Sequence, residues 1–126
     1  MLWLLFAIVT GTPKECTLGP GHWRGTGDQF DIHEHWTIDT RLDLNGAVGT
    51  RVGTIAYPSL GCSGELVRET DIGGSRVVRE HITRDPKHTC VDGGSVRFAC
   101  KGGHLDYRYF YPDGTQCAVA ILSRAP

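Results

Sequence analysis

Residues 35–46, HWTIDTRLDLNG, place Trp36, Ile38, Thr40, Leu42 and Leu44 on one face and Thr37, Asp39, Arg41 and Asp43 on the other. A period of two belongs to a β-strand buried on one side. The Asn45-Gly46 pair that follows is a strong short-range signal for a hairpin turn. Working outward, turn signals recur about every ten residues between Gly21 and Arg124, and helical periodicity is hard to find. Further strands are expected at 48–57, 62–70, 76–83, 95–100, 104–111 and 117–124, separated by DIGGS, KGG and PDG, which put glycine where a tight turn needs positive φ. A first strand around Trp23 completes a set of eight.

The fold class expected is therefore all-β, and eight antiparallel strands joined mostly by hairpins suit an up-and-down barrel, because closure removes exposed edges. With 126 residues the chain is sized for one domain. Its net charge of -1, with signs interleaved, gives no basic stripe and excludes nucleic acid as an expected partner. The apolar run Leu2–Val9 is much shorter than the roughly 20 residues of a spanning helix, so no stable membrane span is expected. It has the length of a secretory core segment, so residues 1–15 read as a possible leader and 16–126 as the barrel domain. A buried first strand is the competing reading of that run.

Following the hairpins assigns the loops to two ends. Asn45-Gly46, DIGGS and KGG share a lower end, while YPSLG (57–61), RDPKHTCVDGG (84–94) and PDG share an upper end. Five cysteines at spacings of 46, 28, 10 and 17 contain no CxxC pair and fit no zinc ribbon. In so small a domain they point to disulfides and an extracytoplasmic compartment. The topology brings Cys62 to the upper end beside Cys90, so a Cys62–Cys90 bond is expected, with Pro58 and Gly61 turning the chain before it. Cys16 and Cys100 meet at the lower end as a second candidate pair, which leaves Cys117 over.

GHWRG (21–25) resembles the G-x-W signature that opens the barrel of lipocalins and their calycin relatives, and LSRAP (122–126) sets Arg124 where that superfamily often carries a basic residue. The resemblance implies a calycin-like barrel in which Trp23 and Arg124 are structural, stacking by a cation–π contact across the closure. GTIAYPSLGCSGEL and HTCVDGG are also similar to segments of exported bacterial modules of unknown role, some attached to Ser/Thr kinases. GDQFDIHEHW resembles part of the first cupin motif through Gly27, His33, His35 and Gly46. However, Asp39 stands where that family has Glu, and its second motif is missing. His33 and His35 therefore read as a solvated pair, and no metal and no cofactor is expected.

Candidate binding residues lie on inward faces. If Leu105 points in, so do Tyr107, Tyr109 and Tyr111, joined by Val96, Phe98 and Trp36; Val78 and Ile82 carry Glu80 inward with them. A carboxylate inside a barrel must pair, protonate or meet a ligand. Trp36, Glu80, Phe98, Tyr107, Tyr109 and Tyr111 thus form the candidate site for a small apolar or aromatic ligand. A filled core, or a tyrosine strand flipped so that Asp106, Arg108 and Phe110 face in, is the alternative. No G-x-S-x-G elbow is present, since GCSGE holds its serine in another frame, and no catalytic residue is assigned. The functional expectation is an exported binding module that senses, carries or inhibits. The alternatives are an enzyme such as a cyclase or isomerase using Glu80 and tyrosines, and an inhibitor contacting a protein partner through loops 57–62 and 84–94.

Overall fold

Strands form wherever the apolar positions alternate. The computed structural model describes residues 16–126, so the expected leader at 1–15 lies outside the described residues. The elements are β1 (Gly21–Gln29), β2 (Glu34–Leu42), β3 (Arg51–Tyr57), β4 (Cys62–Arg68), β5 (Arg76–Arg84), β6 (Ser95–Lys101), β7 (His104–Phe110) and β8 (Gln116–Arg124). Each pairs antiparallel with its sequence neighbours, and β8 returns to β1, closing an up-and-down barrel. Closure leaves none of these strands with an edge free to pair with another chain.

An eight-stranded barrel is just wide enough for its own side chains, and the lower half is filled in that way. Trp23, Leu42, Leu66, Phe98, Leu105 and Leu122 are all buried there. Trp23 and Arg124 are ladder partners across the closure, and the guanidinium carbon stands 4.6 Å above the indole ring. Buried Thr40 satisfies its hydroxyl by donating to the Thr54 carbonyl at 2.7 Å.

The lower end departs from the expected hairpin. β2 stops at Leu42 and β3 starts at Arg51, so Asn45-Gly46 lies inside a longer connection whose left-handed residue is Gly49, with φ of 88°. Leu44 is buried as a plug, and its N–H donates to the Leu18 carbonyl at 2.8 Å. Two arginines from other strands hold the loop down: Arg68 Nη1 donates to the Gly46 carbonyl at 2.6 Å and Arg76 Nη1 to the Leu44 carbonyl at 3.0 Å. Tertiary contacts from distant residues thus override a local turn signal.

Cys62 and Cys90 are bonded at the upper end and Cys16 and Cys100 at the lower, while Cys117 is free and buried. The β3–β4 corner is tight, with Leu60 N–H donating to the Tyr57 carbonyl at 2.9 Å and Gly61 at φ of 77°. The cross-link ties this corner to the 85–94 loop. Replacing Cys62 and Cys90 together by Ala should cost about 3.5 kcal/mol of stability, the chain-entropy value for a loop of this size. Urea unfolding checks it, and an unchanged midpoint would contradict it.

Candidate functional site

The upper half of the interior is not filled. Between the strands and the loops at 57–61 and 85–94 lies a cavity of about 80 Å³. Its inner wall is aromatic: Trp36 from β2, Tyr57 from β3, Tyr107 and Tyr109 from β7 and Tyr111 just beyond it. Glu80 on β5 lines the same space, and Gln29, Leu60, Thr89, Cys90 and Val91 form the mouth.

The rings are held nearly perpendicular to one another. Trp36 meets Tyr57 at 84° with centroids 5.2 Å apart and Tyr107 at 78° and 6.2 Å, while Tyr109 meets Tyr111 at 86° and 6.0 Å. Edge-to-face packing of this kind matches the positive rim of one ring to the negative face of the next. Two glycines make room for it. A Cβ at Gly27 would collide with the Trp36 ring, and one at Gly94 would collide with the Tyr109 hydroxyl. Trp36 is further fixed by its indole N–H, which donates to Gln29 Oε1 at 2.9 Å; Gln29 Nε2 donates to the Tyr111 hydroxyl at 2.9 Å, and that hydroxyl donates to Asp31 at 2.7 Å.

Glu80 is the chemical centre of the cavity. It is 1% exposed, and the Tyr57 hydroxyl donates to its Oε2 at 2.5 Å. With Glu80 ionised, Tyr57 gives its one proton to the carboxylate, so the 2.7 Å bond between the Tyr57 and Tyr107 hydroxyls is donated by Tyr107. In that state both hydroxyls point their protons toward the carboxylate. The second oxygen, Oε1, has no hydrogen-bond partner among the described residues. Burial pushes the Glu80 pKa up to about 7, partly offset by the Tyr57 hydrogen bond, with Asp92 adding to the rise. Burial first, and then the Glu80 charge, hold the Tyr57 and Tyr107 hydroxyls well above their ordinary range.

Of the residues expected from sequence, Trp36, Glu80, Tyr107, Tyr109 and Tyr111 come together here. Phe98 does not line the cavity; it is buried below it, edge-on to Tyr107 at 5.9 Å. The β7 face is the one expected, since Asp106 and Arg108 pair on the outside at 2.9 Å. Sequence reasoning misses Tyr57, although it shares the parity of Ile55 and directly precedes the Pro58 corner. Gln29 gives no signal, because a glutamine at a strand end reads as solvated. His33 sits in the β1–β2 turn with φ of 55°, and His35 is exposed, 3.8 Å from Asp28. Among the described residues no group of three or more His, Cys, Asp or Glu side chains is placed to hold a metal ion.

No protein-family model matches the chain, and no curated protein or solved structure is significantly similar to it. The site must be read from its own geometry.

The raised pKa has a measurable sign. Glu80 ionises near 4.5 in the unfolded chain and near 7 in the barrel, so its contribution is favourable below pH 4.5, falls between 4.5 and 7, and stays low above that. The loss is on the order of 3 kcal/mol. Glu80→Gln, which keeps an acceptor for Tyr57, should remove this dependence. Urea unfolding at pH 4.5 and pH 8 should show the wild type losing stability relative to the variant, and parallel behaviour of the two proteins would contradict the assignment.

Proposed function

We propose that this protein is an exported β-barrel that binds a small molecule in the upper-end cavity without transforming it. The observation that carries the reading is Glu80, a buried carboxyl group with one oxygen committed to Tyr57 and the other open to an aromatic cavity. A filled core would bury both oxygens against protein donors, whereas an Oε1 without one beside a cavity is left to solvent or to a ligand. Convergent polar groups in an apolar concavity are the usual composition of a ligand site. The cavity is smaller than the roughly 150 Å³ that admits benzene, so the occupant is a small molecule or the end group of a larger one.

Two disulfides support export, since such bonds persist outside reducing compartments. The Trp23–Arg124 stack supports a calycin relation, in which such a contact closes the barrel. A second reading has one observation in its favour. A carboxyl titrating near neutrality beside a tyrosine is suited to proton transfer, so an isomerase-like activity would use Glu80 as its base. In that case Glu80→Gln would end turnover while the bound ligand remained chemically intact.

Amide and indole NMR spectra recorded with acetamide, acetate, methanol and methylammonium chloride test the binding reading. At least one probe should give saturable shifts centred on Trp36, Tyr57, Glu80, Tyr107 and Tyr109. Shifts confined to the outer surface, or none with any probe, would contradict it.

A further inference from the structure

The cavity's chemistry favours one sign of charge. Among the described residues Glu80 is its only ionisable lining group besides the tyrosines, and no Lys, Arg or His side chain lines it. An anionic ligand would meet no counter-charge there. With Glu80 ionised, the hydrogen-bond relay has the same polarity: Tyr107 donates to Tyr57 and Tyr57 to Glu80, so what remains for a ligand at this carboxylate is an acceptor. The five aromatic rings around the space carry negative faces that attract cations.

The charge distribution over the molecule agrees, and it is independent of the cavity. Asp28, Asp31, Glu34, Asp85, Asp92 and Asp113 lie in the upper-end loops and adjoining strand ends, against only Arg84 and Lys87 among the described residues. At the lower end the balance reverses, with Arg51, Arg68, Arg76, Lys101 and Arg124 outnumbering Asp43, Glu69 and Asp71. A net charge of -1 thus conceals a polarised barrel whose acidic end holds the cavity mouth. Such a field concentrates cations at the mouth and speeds their capture.

From these observations, and resting on the small-ligand reading above, we infer that the ligand is a small organic cation, an ammonium group of few carbons seated among Trp36, Tyr57, Tyr107 and Tyr109 with its charge against Glu80. The negative ring faces solvate the alkyl-ammonium surface, and the open Oε1 supplies the counter-charge. Binding requires ionised Glu80 and therefore strengthens as pH rises through about 7. The groups that face Glu80 are Tyr57 on β3, Tyr107 and Tyr109 on β7, and Asp92 in the β5–β6 loop. The tyrosines are held protonated far above this range.

The test is calorimetric titration of the intact, oxidised protein with methylammonium chloride, and with methanol as a neutral probe of similar size, both small enough for a cavity of about 80 Å³. At pH 8 the cation should bind at least tenfold more tightly than the alcohol. At pH 5.5 only about 3% of Glu80 is ionised, which should weaken the cation roughly 30-fold. Glu80→Gln should bind it at least tenfold more weakly at pH 8; His33, His35 and His88 at the same end are common to both proteins and cancel in the comparison. A second arm, a short peptide carrying monomethyl-lysine, separates a free cation from one borne on a protein: tighter binding of the peptide assigns the ammonium to a chain, and weaker binding assigns it to a free molecule. Equal affinity for alcohol and cation, or a cation affinity indifferent to pH and to Glu80→Gln, would overturn the inference while leaving a small-ligand site in place. Silence of every probe would overturn both.

Discussion

A carboxyl group buried in a barrel must be provided for, and the upper half of this fold is arranged around that constraint. Glu80 is carried inward by the alternation of β5 and cannot swing out without breaking the strand. Transferring its charge from water is expensive. Among the described residues the Tyr57 hydroxyl is the only side-chain donor bonded to it, and the Tyr107 hydroxyl is bonded in turn to Tyr57. That relay fixes where two of the five rings stand. Trp36 is set against both of them, and its own N–H is anchored through Gln29 to Tyr111 and Asp31. The cavity is thus shaped by a polar network, and its apolar walls follow from how that network is satisfied.

The lower half works on different physics and makes the upper half possible. There the barrel is packed with aliphatic and aromatic side chains, plugged by Leu44, and stitched at the closure by Trp23 and Arg124. Burial of that apolar surface supplies the main favourable term in folding. It offsets the cost of holding an ionisable group and an incompletely filled space at the other end. One disulfide secures each end, Cys16–Cys100 below and Cys62–Cys90 above. The upper bond reaches the cavity itself, because Cys90 and neighbouring Thr89 and Val91 form part of its mouth. A stable base with a less completely packed, polar opening is the arrangement expected of a rigid scaffold that carries a site at one end.

Much of this is legible in the amino-acid order, for a physical reason. In a closed barrel every strand has one inward face, so parity alone sends Trp36, Glu80, Tyr107 and Tyr109 inside, and hairpin counting sends Cys62 toward Cys90. What parity does not give is depth along the strand. Phe98 has the right face but lies below the cavity, whereas Tyr57, at the top of β3, has both the right face and the right height. Side-chain partners are equally invisible in sequence. Gln29 matters because it bridges Trp36 and Tyr111, residues distant in the chain, and Gly94 because the Tyr109 ring passes over it. The Asn45-Gly46 signal fails for a related reason, since Arg68 and Arg76 stabilise a longer loop that local turn chemistry does not encode.

Glu80 sits, titratable, in a cavity walled mainly by aromatic rings, where the Tyr57 hydroxyl donates to it, and the character of the whole upper end depends on that placement. The most direct test is an NMR titration of the Glu80 side-chain carboxyl carbon in the oxidised protein. A midpoint near 7, well separated from the ordinary 4.5, is the predicted result. A midpoint at or below 4.5 would mean that the carboxyl is solvated or paired with a cation, and would contradict a buried, tyrosine-held Glu80 at the centre of the cavity.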